Sequence, residues 1–287
     1  MQNSNIHAKR HPSKPASLTM FLGRVGDRNP LGMLGSKHLG EALALRIGLT
    51  PNTLGTPAPP LSAKWDIELE AARPGLTALS SSLAQTFERG EIPVTTLGRC
   101  AASLGTLPVV SRYRPDAVVV WFDAHADSNL PSTSESGYLG GLVLTGAAGL
   151  WHTGLPGGLK LHNVVLVGAR DIDAGEQLLI DSKQLMLVKA GSDLAQRLAE
   201  AIGDRPVYVH IDCDVLEPGT VPTEYLVPGG LTVADLQQAA TVLAKNELVG
   251  LEISEFQACW STNGMVASPE PLIDALQPLL SKFLADE

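Results

Sequence analysis

The stretch DAVVVWFDAHADSN, residues 116–129, decides the fold class of this 287-residue chain. Its first half is an uninterrupted run of apolar, mostly β-branched or aromatic residues, as in a strand buried on both faces of a parallel sheet. Its second half places Asp123, His125 and Asp127 at alternate positions. Because alternate residues of an extended chain point to the same side, these side chains should converge at the end of the strand. Buried carboxylates so close together repel each other, so the pattern predicts a positive group between them.

The rest of the chain alternates between strand-like and helical segments. The predicted strands are TMFLGRV (19–25), PVTTLG (93–98), DAVVVWFDA (116–124), NVVLVGAR (163–170), PVYVHIDCDV (206–215) and LVGLEISEF (248–256). Helical patterns lie near residues 32–47, 67–87, 100–113, 139–150, 174–183, 192–203, 232–244 and 270–285. This alternation predicts an α/β fold with a parallel sheet and helices on both of its faces.

Composition and the N-terminal segment limit the class of protein. The net charge is −9 and no apolar run approaches the ~18 residues of a membrane span, so we expect neither nucleic acid nor a membrane as a partner. Three cysteines make no disulfide framework, which favours a cytoplasmic protein. Residues 1–17 are polar and basic, which predicts a disordered leader rather than a secretory signal. Residues 18–287 contain no evident linker and are expected to form one domain.

Acidic residues also follow other predicted strands. Asp212 and Asp214 repeat the alternate spacing at the end of one buried strand, and Glu255 follows another. In open α/β sheets the functional residues collect at the carboxyl ends of the strands, so these side chains should meet those of residues 123–127. DAHAD alone is compatible with a solvated loop, and IDCDVLEPG alone with a turn and a cap. Together they favour a site for two divalent ions such as Mn²⁺.

Four segments of the chain resemble the ureohydrolases, the family of arginases and agmatinases. They are DAHAD (123–127), HIDCDVLEP (210–218), GARDIDAGE (168–176) and LEISEF (251–256). The resemblance runs from about residue 92 to residue 260. It implies a single arginase-like catalytic domain with a three-layer α/β/α fold, a central and mostly parallel sheet, and a binuclear Mn²⁺ site.

The resemblance also implies a role for each matching residue. Asp123 and Asp212 would bridge the two ions, and Glu255 would pair with the guanidinium group of the substrate. His125 and Asp214 would complete one metal site, and Asp127 would complete the other and pass a proton to the leaving amine. The substrate pocket would be lined by Asn129, Ser136, Asp173 and Glu176, of which the last two would face an α-amino group.

Two positions depart from the family pattern. The remaining family ligand is a histidine in a Gly-Gly-Asp-His-Ser stretch, and alignment on SLGT (103–106) places Cys100 there. Gly140 replaces the histidine that arginases have shortly after the first metal motif, with Tyr138 at a neighbouring pocket position. A thiolate at Cys100 would add negative charge and match Mn²⁺ less well than imidazole does, so other divalent metals such as Zn²⁺ or Co²⁺ are compatible with the site.

These departures favour a substrate that is easier to attack than arginine. The oxygen of an N-hydroxyguanidine lowers its basicity, which makes the neutral, more electrophilic form accessible. Within the family, the pattern most resembles the branch that cleaves Nω-hydroxy-L-arginine in D-cycloserine biosynthesis, through GRVGDR (23–28), the Cys100 segment, SGYLGGLVLTGAAGLW (136–151) and HIDCDVLEPGTVP (210–222). The resemblance thus implies a small guanidino amino acid as substrate: Nω-hydroxy-L-arginine, giving hydroxyurea and L-ornithine, or L-arginine, giving urea and L-ornithine.

Other interpretations stay open. The missing histidines are compatible with a catalytically decayed ureohydrolase-fold protein that binds or regulates, although five of the six family ligand positions are kept. Cys100 could be a nucleophile, since a cysteine at a strand-to-helix junction can have a lowered pKa. For Arg99 a loop salt bridge is favoured over a substrate contact, and His210 is equally compatible with the core and with a contact to a ligating carboxylate. A homo-oligomer is possible, because members of the family often form trimers or hexamers.

Overall fold

The apolar run before Asp123 forms a buried strand, as predicted, inside an eight-stranded sheet. The structure is a computed structural model that describes residues 15–284. Its strands are β1 (Ala16–Phe21), β2 (Asn52–Leu54), β3 (Ile92–Leu97), β4 (Val118–Phe122), β5 (Val164–Val167), β6 (Met186–Val188), β7 (Val207–Asp212) and β8 (Leu248–Ser254). Its α-helices are α1 (Leu31–Ile47), α2 (Trp65–Glu88), α3 (Ser103–Tyr113), α4 (Val143–Ala148), α5 (Ala174–Asp181), α6 (Leu194–Ile202), α7 (Val233–Leu243), α8 (Glu270–Ala275) and α9 (Gln277–Leu280).

The sheet order is β2-β1-β3-β8-β7-β4-β5-β6, and every pairing between neighbouring strands is parallel. One apolar cluster packs α1, α6, α7, α8 and α9 against one face of the sheet. A second cluster packs α2, α3 and α4 against the other face. The prediction of an α/β/α fold with three layers and a parallel sheet is therefore confirmed.

Strand β4 shows why its sequence contains no polar position. Val118, Val120 and Phe122 belong to one apolar cluster. Val119 and Trp121, which alternate with them, belong to the other. All five are at most 2% exposed, so both faces of the strand are covered by helices. A strand buried in this way excludes polar side chains until it leaves the sheet, which it does at Asp123.

The sequence missed the two edge strands. β2 and β6 have only three residues each, NTL and MLV, and most of these residues are partly or fully exposed. A segment so short and open to solvent has no apolar run or alternation to reveal it. The predicted strands also extended too far at their carboxyl ends. β4, for example, ends at Phe122 rather than at residue 124, because the chain turns where the acidic residues begin.

The predicted bounds of the N-terminal leader and of the helix over 139–150 need correction, and part of the leader lies outside the described residues. Ala16 and Ser17, assigned to the leader, belong to β1, where they lie opposite Ile92 and Pro93 of β3. Residues 1–14 of that leader lie outside the part of the chain that the structure describes. The helix predicted over 139–150 is shorter, because α4 is preceded by a 3-10 turn and ends at Ala148, just before Gly149, whose φ is 77°. Within residues 15–284, no helix combines the length and apolarity needed to cross a membrane.

Helix α1 lies unusually close to the loops that follow β3 and β8. A Cβ atom added to Gly35 would lie 1.7 Å from the carbonyl oxygen of Phe256, and one added to Gly32 would lie 2.6 Å from that of Gly98. Only glycine permits this approach, because both contacts are with backbone atoms that cannot rotate away. The helix thereby fixes the backbone next to Glu255 and Arg99.

Gly35→Ala should therefore lower the free energy of unfolding by about 3 kcal/mol, since the added methyl group must push apart two backbone segments. Thermal unfolding monitored by circular dichroism would measure the loss. Gly141→Ala is the matched control, because a Cβ atom there meets nothing within 4 Å. Equal melting temperatures for the two variants would contradict the close approach of α1.

Candidate metal centre and its pocket

The strand order brings the predicted site residues to one edge of the sheet. Strands β3, β8, β7, β4 and β5 are successive neighbours, so the residues at their carboxyl ends lie side by side. These residues are Cys100 after β3, Glu255 after β8, Asp212 and Asp214 at the end of β7, Asp123, His125 and Asp127 after β4, and Asp173 and Glu176 after β5. Segments far apart in sequence thus form one cluster.

Potential ligand atoms gather in three overlapping groups. Within each group the atoms lie within 4.8 Å of one another: Cys100 with Asp123 and Asp127, Asp123 with His125 and Asp214, and Cys100 with Asp212 and Glu255. The first two groups share Asp123. These two groups therefore overlap at Asp123, and each of the three groups could hold a metal ion.

Asp123 is fully buried and held from two sides. Its Oδ2 accepts a hydrogen bond from Nε1 of Trp121 at 2.9 Å, and its Oδ1 accepts one from the backbone N–H of His125 at 2.7 Å. Burial alone would raise its pKa, but the hydrogen bonds and charge of His125 outweigh it and lower that pKa. Conversely, Asp123 and Asp214 raise the pKa of His125 against the effect of burial. The imidazole thus offsets part of the negative charge of Asp123 and Asp214.

The other carboxylates are less fully compensated. Burial raises the pKa of Asp127, Asp212 and Asp214, and the negative charge of neighbouring carboxylates raises it further. Oδ2 of Asp214 is buried without a hydrogen bond, although Nδ1 of His125 lies 3.2 Å away. No described residue donates a hydrogen bond to the carboxylate of Asp127, whose backbone is in the left-handed region at a φ of 47°.

This donor set fits a pair of divalent ions. Buried polar atoms normally have a hydrogen-bond partner, whereas among the described residues Oδ2 of Asp214 has only its ion-pair contact with His125. Four buried aspartates around one imidazole repel one another unless a cation shares them. Oxygen-rich sites of this kind suit Mn²⁺, and the thiol of Cys100 adds one soft ligand.

Cys100 is buried among acids. Its Sγ lies 2.9 Å from Oδ2 of Asp212, 2.9 Å from Oγ of Ser254 and 3.1 Å from Nε2 of His210. Burial raises the pKa of this thiol well above its usual value, and the charge of Asp212 raises it further. A cysteine nucleophile needs the opposite shift, so these surroundings do not support nucleophilic attack by Cys100.

His210 is buried and contacts the thiol of Cys100, so it does more than fill the core. Its Nδ1 lies 2.7 Å from Oε1 of Glu252, and its ring stacks on Trp121 with centroids 3.5 Å apart. Burial would raise the pKa of the Glu252 carboxyl. The hydrogen bond and charge of His210, together with hydrogen bonds from neighbouring hydroxyl groups, outweigh burial and lower that pKa. The thiol, imidazole and carboxylate form a fixed chain that orients the sulfur towards Asp212.

A cavity of about 340 Å³ opens over this cluster. Its walls include the predicted residues His125, Asp127, Asn129, Ser136, Asp173, Glu176, Asp212, Asp214 and Glu255, together with Arg28, Glu135, Tyr138, Gly141, Asp171 and Tyr225. Cys100 and Asp123 are buried below it, at 2% and 0% exposure. A larger cavity of about 870 Å³ lies near β6, and its walls contain no acid or imidazole to supply a reactive group.

Glu255 lies at the inner end of the cavity. Its Oε1 accepts a hydrogen bond from the backbone N–H of Cys100 at 3.1 Å, and its Oε2 accepts one from Nη1 of Arg99 at 2.7 Å. Burial raises its pKa to about 7 even though Arg99 lowers it. Its backbone, like that of Asp127, is left-handed, with a φ of 63°. Strain of this kind costs about 1–2 kcal/mol per residue and is typical of functional sites.

The predicted amino-acid end of the pocket is built on α5. Nδ2 of Asn129 donates to Oδ2 of Asp173 at 2.7 Å. Glu176 accepts hydrogen bonds from the backbone N–H groups of Asp173 and Ser128, at 2.9 Å and 2.8 Å. Glu176 therefore ties the loop after β4 to the first turn of α5, in addition to facing the cavity. Ser136 is exposed at the cavity rim.

Known proteins match both the sequence and the fold. The arginase family model matches residues 56–267. The chain belongs to the arginase family. An Nω-hydroxy-L-arginine amidinohydrolase from Streptomyces lavendulae is 38% identical over 261 residues, which cover 91% of this chain and 96% of that protein. An arginase from Glaciozyma antarctica (strain PI12) is 30% identical over 219 residues, which cover 69% of this chain and 63% of the relative.

Solved arginases share the fold of this chain. The crystal structure of an arginase from Entamoeba histolytica in complex with L-ornithine superposes with a TM-score of 0.79 at 22% identity, covering 93% of this chain and 99% of that one. The ureohydrolase resemblance inferred from four short segments is thus confirmed. So is the expectation that the protein is a hydrolase of guanidino compounds, since that is the chemistry of the arginase family.

In this arginase-family member, Tyr138 occupies the space beside Gly140. A Cβ atom at Gly140 would lie 2.4 Å from Cε1 of the Tyr138 ring, so a histidine there would displace the ring. Tyr138 lies 6.0 Å from the ring of Tyr225, which packs edge-on against His125 at 5.3 Å. The guanidinium of Arg28 lies 4.8 Å from the centre of the Tyr138 ring.

Several pocket residues had no recognisable signal in the sequence. Arg28 and Tyr225, which line the cavity, lie in the loops after β1 and β7, where a single sequence gives no periodicity. The salt bridge predicted for Arg99 exists, but it is fully buried and includes Glu255. The position of each loop after a strand was the only available indication that its residues face the site.

Asp127→Asn should stabilise the metal-free protein at neutral pH by about 1 kcal/mol or more, because it removes one charge from a crowded set. The pKa of Asp127 is higher in the folded state than unfolded. The folded state thus binds more protons, so stability falls as pH rises above the ordinary Asp value. The variant should weaken this fall and also bind Mn²⁺ at least tenfold less tightly.

Thermal unfolding between about pH 4 and pH 8, with chelator and with added Mn²⁺, would measure both effects. Asp171→Asn is the control, since this residue lines the same cavity but is 68% exposed. Its effect on stability should stay below about 0.5 kcal/mol. An unchanged pH dependence in metal-free Asp127→Asn would show that this carboxylate is not strained by its neighbours.

Proposed function

We propose that the protein is a metal-dependent amidinohydrolase that converts Nω-hydroxy-L-arginine and water to hydroxyurea and L-ornithine, with L-arginine as a poorer substrate that gives urea and L-ornithine. The observation that supports this most directly is the cluster of carboxylates with Cys100 and His125 beneath a cavity that contains Glu255. The similarity to the Streptomyces lavendulae enzyme supports the hydroxylated substrate.

Two divalent ions, Mn²⁺ in the first instance, would be held by Cys100, Asp123, His125, Asp127, Asp212 and Asp214. When bound, such ions supply Lewis acidity and make water nucleophilic near neutral pH. Asp123 and Asp212 are proposed to be shared between the ions. Cys100 is proposed to bind as a thiolate, which is why Co²⁺ and Zn²⁺ remain alternatives to Mn²⁺.

Glu255 and Asp127 are proposed to act on the substrate itself. Glu255 would orient the guanidino group by charge-assisted hydrogen bonds at the inner end of the cavity. Asp127 faces the cavity, where its carboxylate can accept a proton. It would deliver that proton to the nitrogen that leaves as the side-chain amine of ornithine when the bond to the guanidino carbon breaks.

The outer half of the cavity fits an amino acid. Asp173 and Glu176 are proposed to face the α-ammonium group, with Asn129 and Ser136 completing the wall. Arg28 is the one basic residue among those that line the cavity. No described residue forms an ion pair or hydrogen bond with its guanidinium, so we add Arg28 as the partner of the α-carboxylate.

The competing interpretation is a decayed member of the family that binds without catalysis. Six candidate ligands lie in one place, and five of them match the family pattern, with Cys100 as the sixth; this arrangement and the strained conformations of Asp127 and Glu255 support the enzyme. A cytoplasmic location is proposed on the three free cysteines, Cys100, Cys213 and Cys259. Assembly into a homo-oligomer is kept as a proposal from the family resemblance.

The substrate panel that tests the function is L-arginine, Nω-hydroxy-L-arginine, agmatine and guanidinobutyrate, with protein loaded in parallel with Mn²⁺, Co²⁺ and Zn²⁺. We expect hydroxyurea release with a kcat/KM roughly tenfold or more above that for urea release from L-arginine, a difference of about 1.4 kcal/mol. Asp123→Ala should lose both metal and activity. Bound metal without product from any substrate would favour the decayed protein.

Arg28→Met should raise the KM for Nω-hydroxy-L-arginine roughly tenfold to a hundredfold, because a charge-assisted bond to the α-carboxylate is lost. The KM for Nω-hydroxyagmatine, which lacks that carboxylate, should stay unchanged. Arg24→Met is the matched control, since Arg24 lies in the same loop but donates to the carbonyl oxygen of Pro59. Equal losses on both substrates would exclude carboxylate recognition by Arg28.

A further inference from the structure

A fully buried arginine lies directly behind the carboxylate that is proposed to bind the substrate. Arg99 is 0% exposed, and its guanidinium contacts three carboxylates from three different loops. Nε lies 3.1 Å from Oδ1 of Asp27, Nη2 lies 2.5 Å from Oε2 of Glu224, and Nη1 lies 2.7 Å from Oε2 of Glu255. A planar guanidinium held on three sides has no alternative position to adopt.

The contact with Arg99 changes what Glu255 can do. An arginine in a protein stays protonated at all working pH values, so the positive charge beside Glu255 is permanent. The other oxygen of Glu255 accepts the backbone N–H of Cys100. A substrate guanidinium would therefore be the second cation on a carboxylate that already has one. In a buried site, where charges are poorly screened, the two cations repel each other.

The possible substrates differ in this respect. The guanidinium of L-arginine keeps its charge, whereas the less basic N-hydroxyguanidine can enter as the neutral form. A neutral group can still donate N–H and O–H hydrogen bonds to Glu255 without facing Arg99 as a second cation. Building on the proposed function, we propose that Arg99 is a specificity-determining residue that acts through Glu255 and disfavours permanently charged guanidinium groups.

The two other carboxylates keep Arg99 in place. Asp27 is 0% exposed and also accepts the backbone N–H of Val25 at 2.8 Å. Glu224 accepts Nδ2 of Asn29 at 2.9 Å. Because these contacts fix the guanidinium, it cannot move aside when a cation enters. The effect on Glu255 is therefore a permanent property of the pocket.

A pair of variants that differ only at residue 99 would test this. Asp27→Asn with Glu224→Gln keeps Arg99 and removes its two outer partners. Adding Arg99→Gln to that background removes the positive charge without leaving the two outer carboxylates unpaired. L-Arginine and L-citrulline are the probes, because citrulline replaces the guanidinium with a neutral urea group of the same shape. Calorimetry on Mn²⁺-loaded protein would measure both affinities.

We expect the triple variant to bind L-arginine roughly tenfold more tightly than the double variant, with L-citrulline changing less than about threefold. The preference for Nω-hydroxy-L-arginine over L-arginine in kcat/KM should fall by a similar factor. A loss of general positioning would weaken all ligands together and leave these ratios unchanged. The proposal would be overturned if the ratio of L-arginine affinity to L-citrulline affinity differed by less than about threefold between the double and the triple variant.

Two further outcomes are separable. If the wild-type protein releases no hydroxyurea, the proposed function fails, while the binding ratio still reports on Arg99. If the triple variant does not fold, the double variant is compared with Glu135→Gln, which neutralises an acid of the same cavity that has no contact with Arg99. In the double variant, Glu255 is the one remaining carboxylate partner of Arg99 among the three. This variant should therefore weaken L-arginine binding at least threefold more than Glu135→Gln does. An equal effect would overturn the proposal.

Discussion

The mutual repulsion of buried carboxylates at one edge of the sheet is the constraint on which the rest of the site depends. Asp123, Asp127, Asp212 and Asp214 are each at most 6% exposed. Water cannot separate their charges, so the protein must supply partners or accept raised pKa values. Asp123 has the indole of Trp121 and the imidazole of His125, whereas the others remain poorly compensated. The folded protein thus stores unfavourable electrostatic energy that a bound cation would relieve.

The adjacent residues Arg99 and Cys100 redistribute charge across the site. A thiolate at Cys100 would make the metal side more negative than an imidazole there would. Arg99 makes the substrate side less negative, because it lies 2.7 Å from the carboxylate of Glu255. Under the proposed function, both changes act in the same direction. They weaken the activation of the nucleophile and the attraction for a cation, and they suit a less basic, more electrophilic guanidino group.

The sequence was informative where one residue's environment is set by its own strand. The run before Asp123 predicted a strand covered on both faces, and alternate spacing predicted which acids would converge. It was uninformative where partners come from distant loops. Asp27 lies 72 positions from Arg99, and nothing local indicates that they meet. The bond from the backbone amide of Ser128 to Glu176 was equally hidden, as were the short edge strands β2 and β6.

Backbone strain connects the fold to the chemistry. Two of the four described non-glycine residues with positive φ are Asp127 and Glu255, which face the same cavity from the loops after β4 and β8. An unstrained backbone at either position would direct the carboxylate elsewhere. The close contact of Gly35 with Phe256 prevents the loop after Glu255 from relaxing. The apolar layers on both faces of the sheet stabilise it enough to maintain this arrangement, so the core and the site cannot be optimised independently.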